Sequence, residues 1–228
     1  KIELTMNKTY IWTLPTRIFH WSLVLFIFLS WISADDDYLQ IHSSFGYAIF
    51  TLILFRLIWG FFGPRHSRFS DFNFSVKKAI DFSKNILSNK VNNQLGHNPA
   101  ASLVMFTMIM IILIIVLTGI FALGIQEGKG IFNALHSSFL KDLELFEELH
   151  ELVANLLLVF IFMHLAGVFA ERLLHAKEET LNSIITGYKN IKGENIRLNI
   201  FQKLIATIFF ILVIICIYLT FNNTPVLY

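Results

Sequence analysis

The sequence predicts an all-α membrane protein with five transmembrane helices, and three observations predict it. First, 55% of the 228 residues are hydrophobic, 24 of them Phe, which is too apolar for a soluble domain of this length. Second, five apolar runs reach or approach the roughly 20 residues that a helix needs to cross a bilayer. Third, Lys and Arg concentrate in alternate loops.

The first run covers about residues 18–34. A basic lead, an apolar stretch and "SWISA" before "DDD" give it a superficial likeness to a secretory signal. The lead through Arg17 is long for a signal, and Ile32, third from the end of the run at Ala34, is not small, so the run reads as a retained span. The second run, 43–62, carries Arg56. A basic loop follows, in which "VKKAIDFSKNIL" is amphipathic and reads either as a helix along the membrane surface or as a solvated helical linker. The third run, 101–123, starts just after "GHNP". The fourth, 149–170, holds a histidine near each end. The fifth, 204–221, contains the single cysteine, Cys216, which reads as a packing residue. One cysteine excludes an internal disulfide and a four-thiolate cluster.

Alternating spans place the N-terminus and the loops after the second and fourth spans on one side. That side holds Arg65, Arg68, Lys77, Lys78, Lys84, Lys90, Arg172, Lys177 and Lys189; the other holds only Lys129 and Lys141. The positive-inside rule makes the basic side cytoplasmic and the N-terminus with it, as in a bacterial inner membrane. Asp35, Asp36, Asp37, Glu127, Asp142, Glu144, Glu147 and Glu148 fall on the opposite side. The net charge of +2 says little, because its distribution matters more than its sum, and no nucleic-acid partner is expected.

The histidines carry the chemistry. His150 and His164 are fourteen residues apart, nearly four helical turns, so they share a face about 20 Å apart along the axis. That is too far for one metal ion and suits two cofactors, one towards each leaflet. Topology pairs His42, opening the second span, with His150, and His20, opening the first, with His164. Alone, such a histidine is as easily a polar packing group. Two depth-matched pairs are what six-coordinate haem iron needs, and with both axial positions filled the chemistry is one-electron transfer. Gly46 and Gly167, about a turn from His42 and His164, would let a flat macrocycle approach, or simply allow close helix packing. Arg56, fourteen residues after His42, needs an anion inside the membrane, and a haem propionate supplies one. Arg17, three residues before His20, does the same or anchors among lipid phosphates. His66, His97, His136 and His175 lie in loops or at span ends without depth-matched partners. His97 reads as a proton relay to a quinone or as a cap for the helix near Pro99.

"RIFHW" at 17–21, "HSSFGY" at 42–47, "RLIWGFFG" at 56–63, "GHNPAA" at 96–101, the histidines at 150 and 164, and "ITGYK" at 185–189 together resemble the bacterial cytochrome b561 and Ni,Fe-hydrogenase cytochrome b subunit family. The resemblance covers residues 10–190 in order. It implies a four-helix transmembrane bundle with two b haems, ligated by His20, His42, His150 and His164. It further implies electron transfer between a periplasmic partner and the membrane quinone pool. Two features depart from the family pattern. The 35–41 loop is short, leaving little periplasmic surface for a large partner, and residues 191–228 add the fifth helix.

The expected function is therefore that of a diheme b-type cytochrome linking a periplasmic redox protein, a hydrogenase-type enzyme or a basic cytochrome c, to quinone. A stand-alone quinone-linked oxidoreductase of a small reductant such as superoxide is the alternative. A histidine-based transporter fits less well: Glu151 is the only carboxylate in a span, and the spans lack Gly/Pro interruptions. Donor, acceptor, direction of flow and any homo-oligomer are left open.

Overall fold

The computed structural model describes residues 8–87, 95–137, 139–142, 144–174 and 180–222. Lys90, Lys177 and His175 lie outside the described residues. Five long helices carry the chain: α1 (Leu14–Ile32), α2 (Leu39–Phe62), α4 (Pro99–Ile125), α5 (Leu145–Leu174) and α7 (Ile200–Phe221). Two shorter ones, α3 (Val76–Leu87) and α6 (Thr180–Thr186), lie in the loops. Among the described residues, the five long helices are apolar and long enough to cross a membrane. The chain is an all-α, multi-pass membrane protein.

Several long helices outrun the apolar runs. α1 starts at Leu14 rather than near 18, α2 at Leu39 rather than 43, α5 at Leu145 rather than 149, and α7 at Ile200 rather than 204. Hydropathy marks where hydrocarbon surrounds the chain, whereas the hydrogen-bond ladder continues into the headgroup layer until something caps it. Asn98 caps α4: its Oδ1 accepts the Ala101 N–H at 2.7 Å and its carbonyl the Ser102 N–H at 2.9 Å. Pro99 then occupies the first helical position, where no N–H is needed. The cap is thus Asn98 and not its neighbour His97. "VKKAIDFSKNIL" forms α3.

Two compact units divide the chain, and the division passes through each long helix. The first takes the chain up to Ile18, then Leu57–Thr107 and Phe160–Lys203. A two-stranded antiparallel ribbon, β1 (Thr9–Tyr10) with β2 (Tyr188–Lys189), ties its ends together. Gly187 makes the turn into β2 with φ +91°, and its carbonyl accepts both Ile11 and Trp12 N–H. Trp59 Nε1 donates to Thr16 Oγ1 at 3.2 Å, and Trp12 Nε1 to Ser183 Oγ at 3.0 Å. His97 sits between the rings of Trp12 and Phe72, at centre distances of 4.7 and 5.0 Å.

The second unit takes Phe19–Arg56, Met108–Val159 and the chain from Leu204. Tyr47, Ile120 and Leu123 form one buried cluster of its core, with Leu39, Phe50 and Phe132 packed against them. Tyr47 Oη accepts the Ile131 N–H, and Phe132 stacks on Phe121 at 4.7 Å, so the loop after α4 folds back onto the helix ends. α7 packs along α2 in both units: Phe55 meets Phe209 and Phe210 in the second, and Phe62 meets Phe201 in the first.

Candidate haem-binding site

In the second unit, His42 near the start of α2 and His150 near the start of α5 meet with ring centres 5.9 Å apart and planes at 78°. An imidazole nitrogen binds a metal at about 2 Å, so two rings flanking one ion have centres about 6 Å apart. Each ring is braced from behind. His42 Nδ1 donates to the Ser30 carbonyl at 2.9 Å, and His150 Nδ1 to the Ile115 carbonyl at 2.9 Å. A carbonyl only accepts, so both Nδ1 atoms carry a proton, and in a neutral imidazole that leaves the lone pair on Nε2. That is the arrangement in which protein-bound metals hold histidine: one nitrogen on the metal, the other N–H fixed by a second partner.

The carbonyls come from the ends and middles of other helices. Ser30 lies in the last turn of α1, where carbonyls lack a partner one turn on. Ile115 lies in mid-α4, where Thr118 Oγ1 also donates to it at 3.0 Å. Gly119 adjoins the His150 ring: a Cβ there would lie 2.8 Å from its Cε1.

His20 is half-buried on α1, in the second unit, with its ring edge-on to Trp21 at 5.0 Å. His164 is half-buried on α5, in the first unit. It follows His150 by fourteen residues on α5. Arg56, in the second unit, is only 6% exposed, the only buried charge within a membrane-spanning helix among the described residues. In the first unit, Arg17 donates from Nη1 to the Ile185 carbonyl at 2.5 Å, which joins "RIFHW" to "ITGYK". Its Nε is buried without a hydrogen-bond partner, as is Ser30 Oγ in the second unit. At Gly46 and Gly167 an added Cβ would meet nothing within 4 Å, so flat backbone borders open space at both.

The residues present fit a haem. In the second unit, His42 and His150 each commit Nδ1 to a backbone carbonyl, Arg56 supplies a buried cation, and the neighbouring side chains are largely apolar. Among the described residues, no group of three or more His, Cys, Asp or Glu could hold a bare metal ion. The remaining described histidines are engaged elsewhere. His136 Nδ1 donates to the Ile125 carbonyl at 2.9 Å. His66, with φ +69°, donates its backbone N–H to Asp71 Oδ2 at 2.7 Å, and burial beside Arg65 pushes its imidazole below its ordinary pKa.

Sequence reasoning located the histidines and arginines but not Gly119, Ser30 or Ile115. Gly119 was visible only as a glycine in an apolar run, and the carbonyls carry no side-chain signal.

Five helices apolar enough to cross a membrane and a back-braced imidazole pair are features of a membrane b-type cytochrome of electron transfer. The family model for prokaryotic cytochrome b561 matches residues 11–187, and the chain belongs to that family. The chain is 22% identical over 223 residues to a probable Ni/Fe-hydrogenase B-type cytochrome subunit of Rhodobacter capsulatus, covering 83% of this chain and 84% of the relative. A protein of the same description from Bradyrhizobium diazoefficiens is 24% identical over 221 residues, covering 80% and 86%. No solved structure matches the chain.

Proposed function

We propose that the chain conducts electrons across the bacterial inner membrane through two b haems, one held by His42 and His150 and the other by His20 and His164. The observation that carries this reading is the His42–His150 pair, whose rings stand 5.9 Å apart with both Nδ1 protons committed to backbone carbonyls. Bound haem would supply a reversible one-electron couple, with His42 and His150 holding the iron of one haem and His20 and His164 that of the other. The chain's own contribution is to fix the ligand tautomers, to bury the cofactors among apolar side chains, and to offer Arg56 and Arg17 to propionates.

The functional domain spans residues 10–190, and 191–228 adds α7. The concentration of Lys and Arg on one side supports a cytoplasmic N-terminus, with the His42–His150 haem towards the periplasm. A periplasmic redox protein then meets that haem, and quinone meets the His20–His164 haem. The names of the two relatives support a hydrogenase-type partner. A second reading, direct oxidation of a small reductant such as superoxide, draws support from the short connection between Ile32 and Leu39, which offers a large protein little purchase.

Anaerobic membrane vesicles of both orientations, supplied with a water-soluble quinol, test the assignment. Both haems should be reducible by quinol, and the protein-borne donor should act only from the periplasmic face. Haems that neither quinol nor quinone brings to a new redox level would contradict the quinone-linked role.

A further inference from the structure

We infer that Gly119 is a positioning residue for the His42–His150 haem, because the missing side chain admits the His150 ring to the Ile115 carbonyl. This rests on the reading of His150 as an axial ligand.

The two histidines face different problems in fixing their Nδ1 protons. His42 uses Ser30, at the end of α1, where the Ala34 N–H turns back to Trp31 and leaves the Ser30 carbonyl without a backbone donor from one turn on. His150 has no such helix end. It reaches into the middle of α4, to a carbonyl whose place in the ladder already commits it to the Gly119 N–H. A side chain at the position four residues on stands beside that carbonyl and normally screens it from a neighbouring helix. Here a Cβ at 119 would lie 2.8 Å from His150 Cε1 and 2.9 Å from Nδ1, well inside the ~3.5 Å at which non-bonded heavy atoms rest. The ring, pinned at Nδ1, is not a loose end that swings aside. Gly46 and Gly167 differ, since a Cβ there meets nothing.

The consequence is electronic as well as steric. An Nδ1–H donated to a carbonyl raises the basicity of Nε2. A more basic axial nitrogen favours the ferric state and lowers the midpoint potential. Gly119 therefore helps set the potential of this haem and the angle of one ligand plane, currently 78° to its mate.

The test compares Gly119→Ala, Gly119→Val and His150→Ala in purified holoprotein by haem count, redox titration and low-temperature EPR. His150→Ala should lose one haem. Gly119→Ala should keep that haem but raise its midpoint potential and move its low-field EPR feature, with the other haem unchanged. Gly119→Val should show a larger shift or loss of the same haem alone. Two haems retained in His150→Ala would overturn the ligand reading itself. One haem lost there, with Gly119→Ala identical to the parent or shifting both haems equally, would overturn the role of Gly119 alone. Should neither glycine variant fold, electron–nuclear double resonance on the unaltered protein with 15N-labelled histidine decides. Iron bound through Nε2 with a hydrogen-bonded Nδ1 proton supports the role, and iron bound through Nδ1 overturns it.

Discussion

Arg56 is the most consequential charge in the chain. Fully burying an arginine in apolar surroundings is costly unless an anion or polar groups receive it, and its 6% exposure leaves little room for water. If it faces a propionate of the His20–His164 haem, Arg56→Leu removes a cation that favours the reduced iron, and that haem's midpoint potential falls. A unit charge within about 10 Å, at an effective dielectric near 20, is worth on the order of 1–2 kcal/mol, or roughly 50–100 mV for one electron. Redox titration should show the other haem moving much less; equal movement would place the arginine elsewhere. This residue was legible from sequence because a lone arginine in "LFRLIWG" breaks an apolar run. The histidines were legible because helical periodicity converts fourteen residues into one face and about 20 Å. The braces behind them were not. A backbone carbonyl has no letter of its own, and the space left by Gly119 has meaning only once α5 lies beside it.

At the scale of elements, α7 is tied to α2 by a glutamine near each of its ends. Gln202 on α7 is buried, and its Nε2 donates to the Phe62 carbonyl at the end of α2, at 3.0 Å. At the other end of α7, Gln40 Nε2 on α2 donates to the Thr220 carbonyl at 3.1 Å. Gln202→Leu and Gln40→Leu should each cost about 0.5–1.5 kcal/mol, and the double variant should cost the sum, since the two bonds lie at opposite ends of the helix. Thermal loss of the haem absorbance in detergent measures it, and a double variant as stable as the parent would show α7 to be held by packing alone. Asn98→Ala should cost a similar amount, about 1 kcal/mol, by stripping the cap of α4. The existence and order of the five helices followed from hydropathy, because apolar runs of that length have one stable form in a bilayer. Their ends did not follow, because caps such as Asn98 and the glutamine ties depend on residues outside the runs or on another helix.

At the scale of the whole molecule, Lys and Arg gather in alternate loops, and Asp and Glu gather in the loops beyond α1 and α4. The loops beyond α1 and α4 are acidic, so association with a basic donor of the kind proposed above should slow as ionic strength rises from about 0.01 to 0.15 M. Stopped-flow reduction by a basic cytochrome c would reveal it, and salt-independent rates would argue for a small uncharged reductant or an apolar interface. The family and the fold class were within reach of the sequence. The partner was not, since the surface that selects it is built of short loops whose residues carry charge but no signature. The central claim is two haems on two histidine pairs, and haem counting across the four single His→Ala variants tests it most directly. The parent should give close to two haems per chain by the pyridine haemochrome assay. His42→Ala and His150→Ala should each lose one haem and share one residual spectrum and midpoint potential, while His20→Ala and His164→Ala should lose the other haem and share a second. A folded, colourless parent, or His42→Ala and His164→Ala proteins with the same residual haem, would contradict the account.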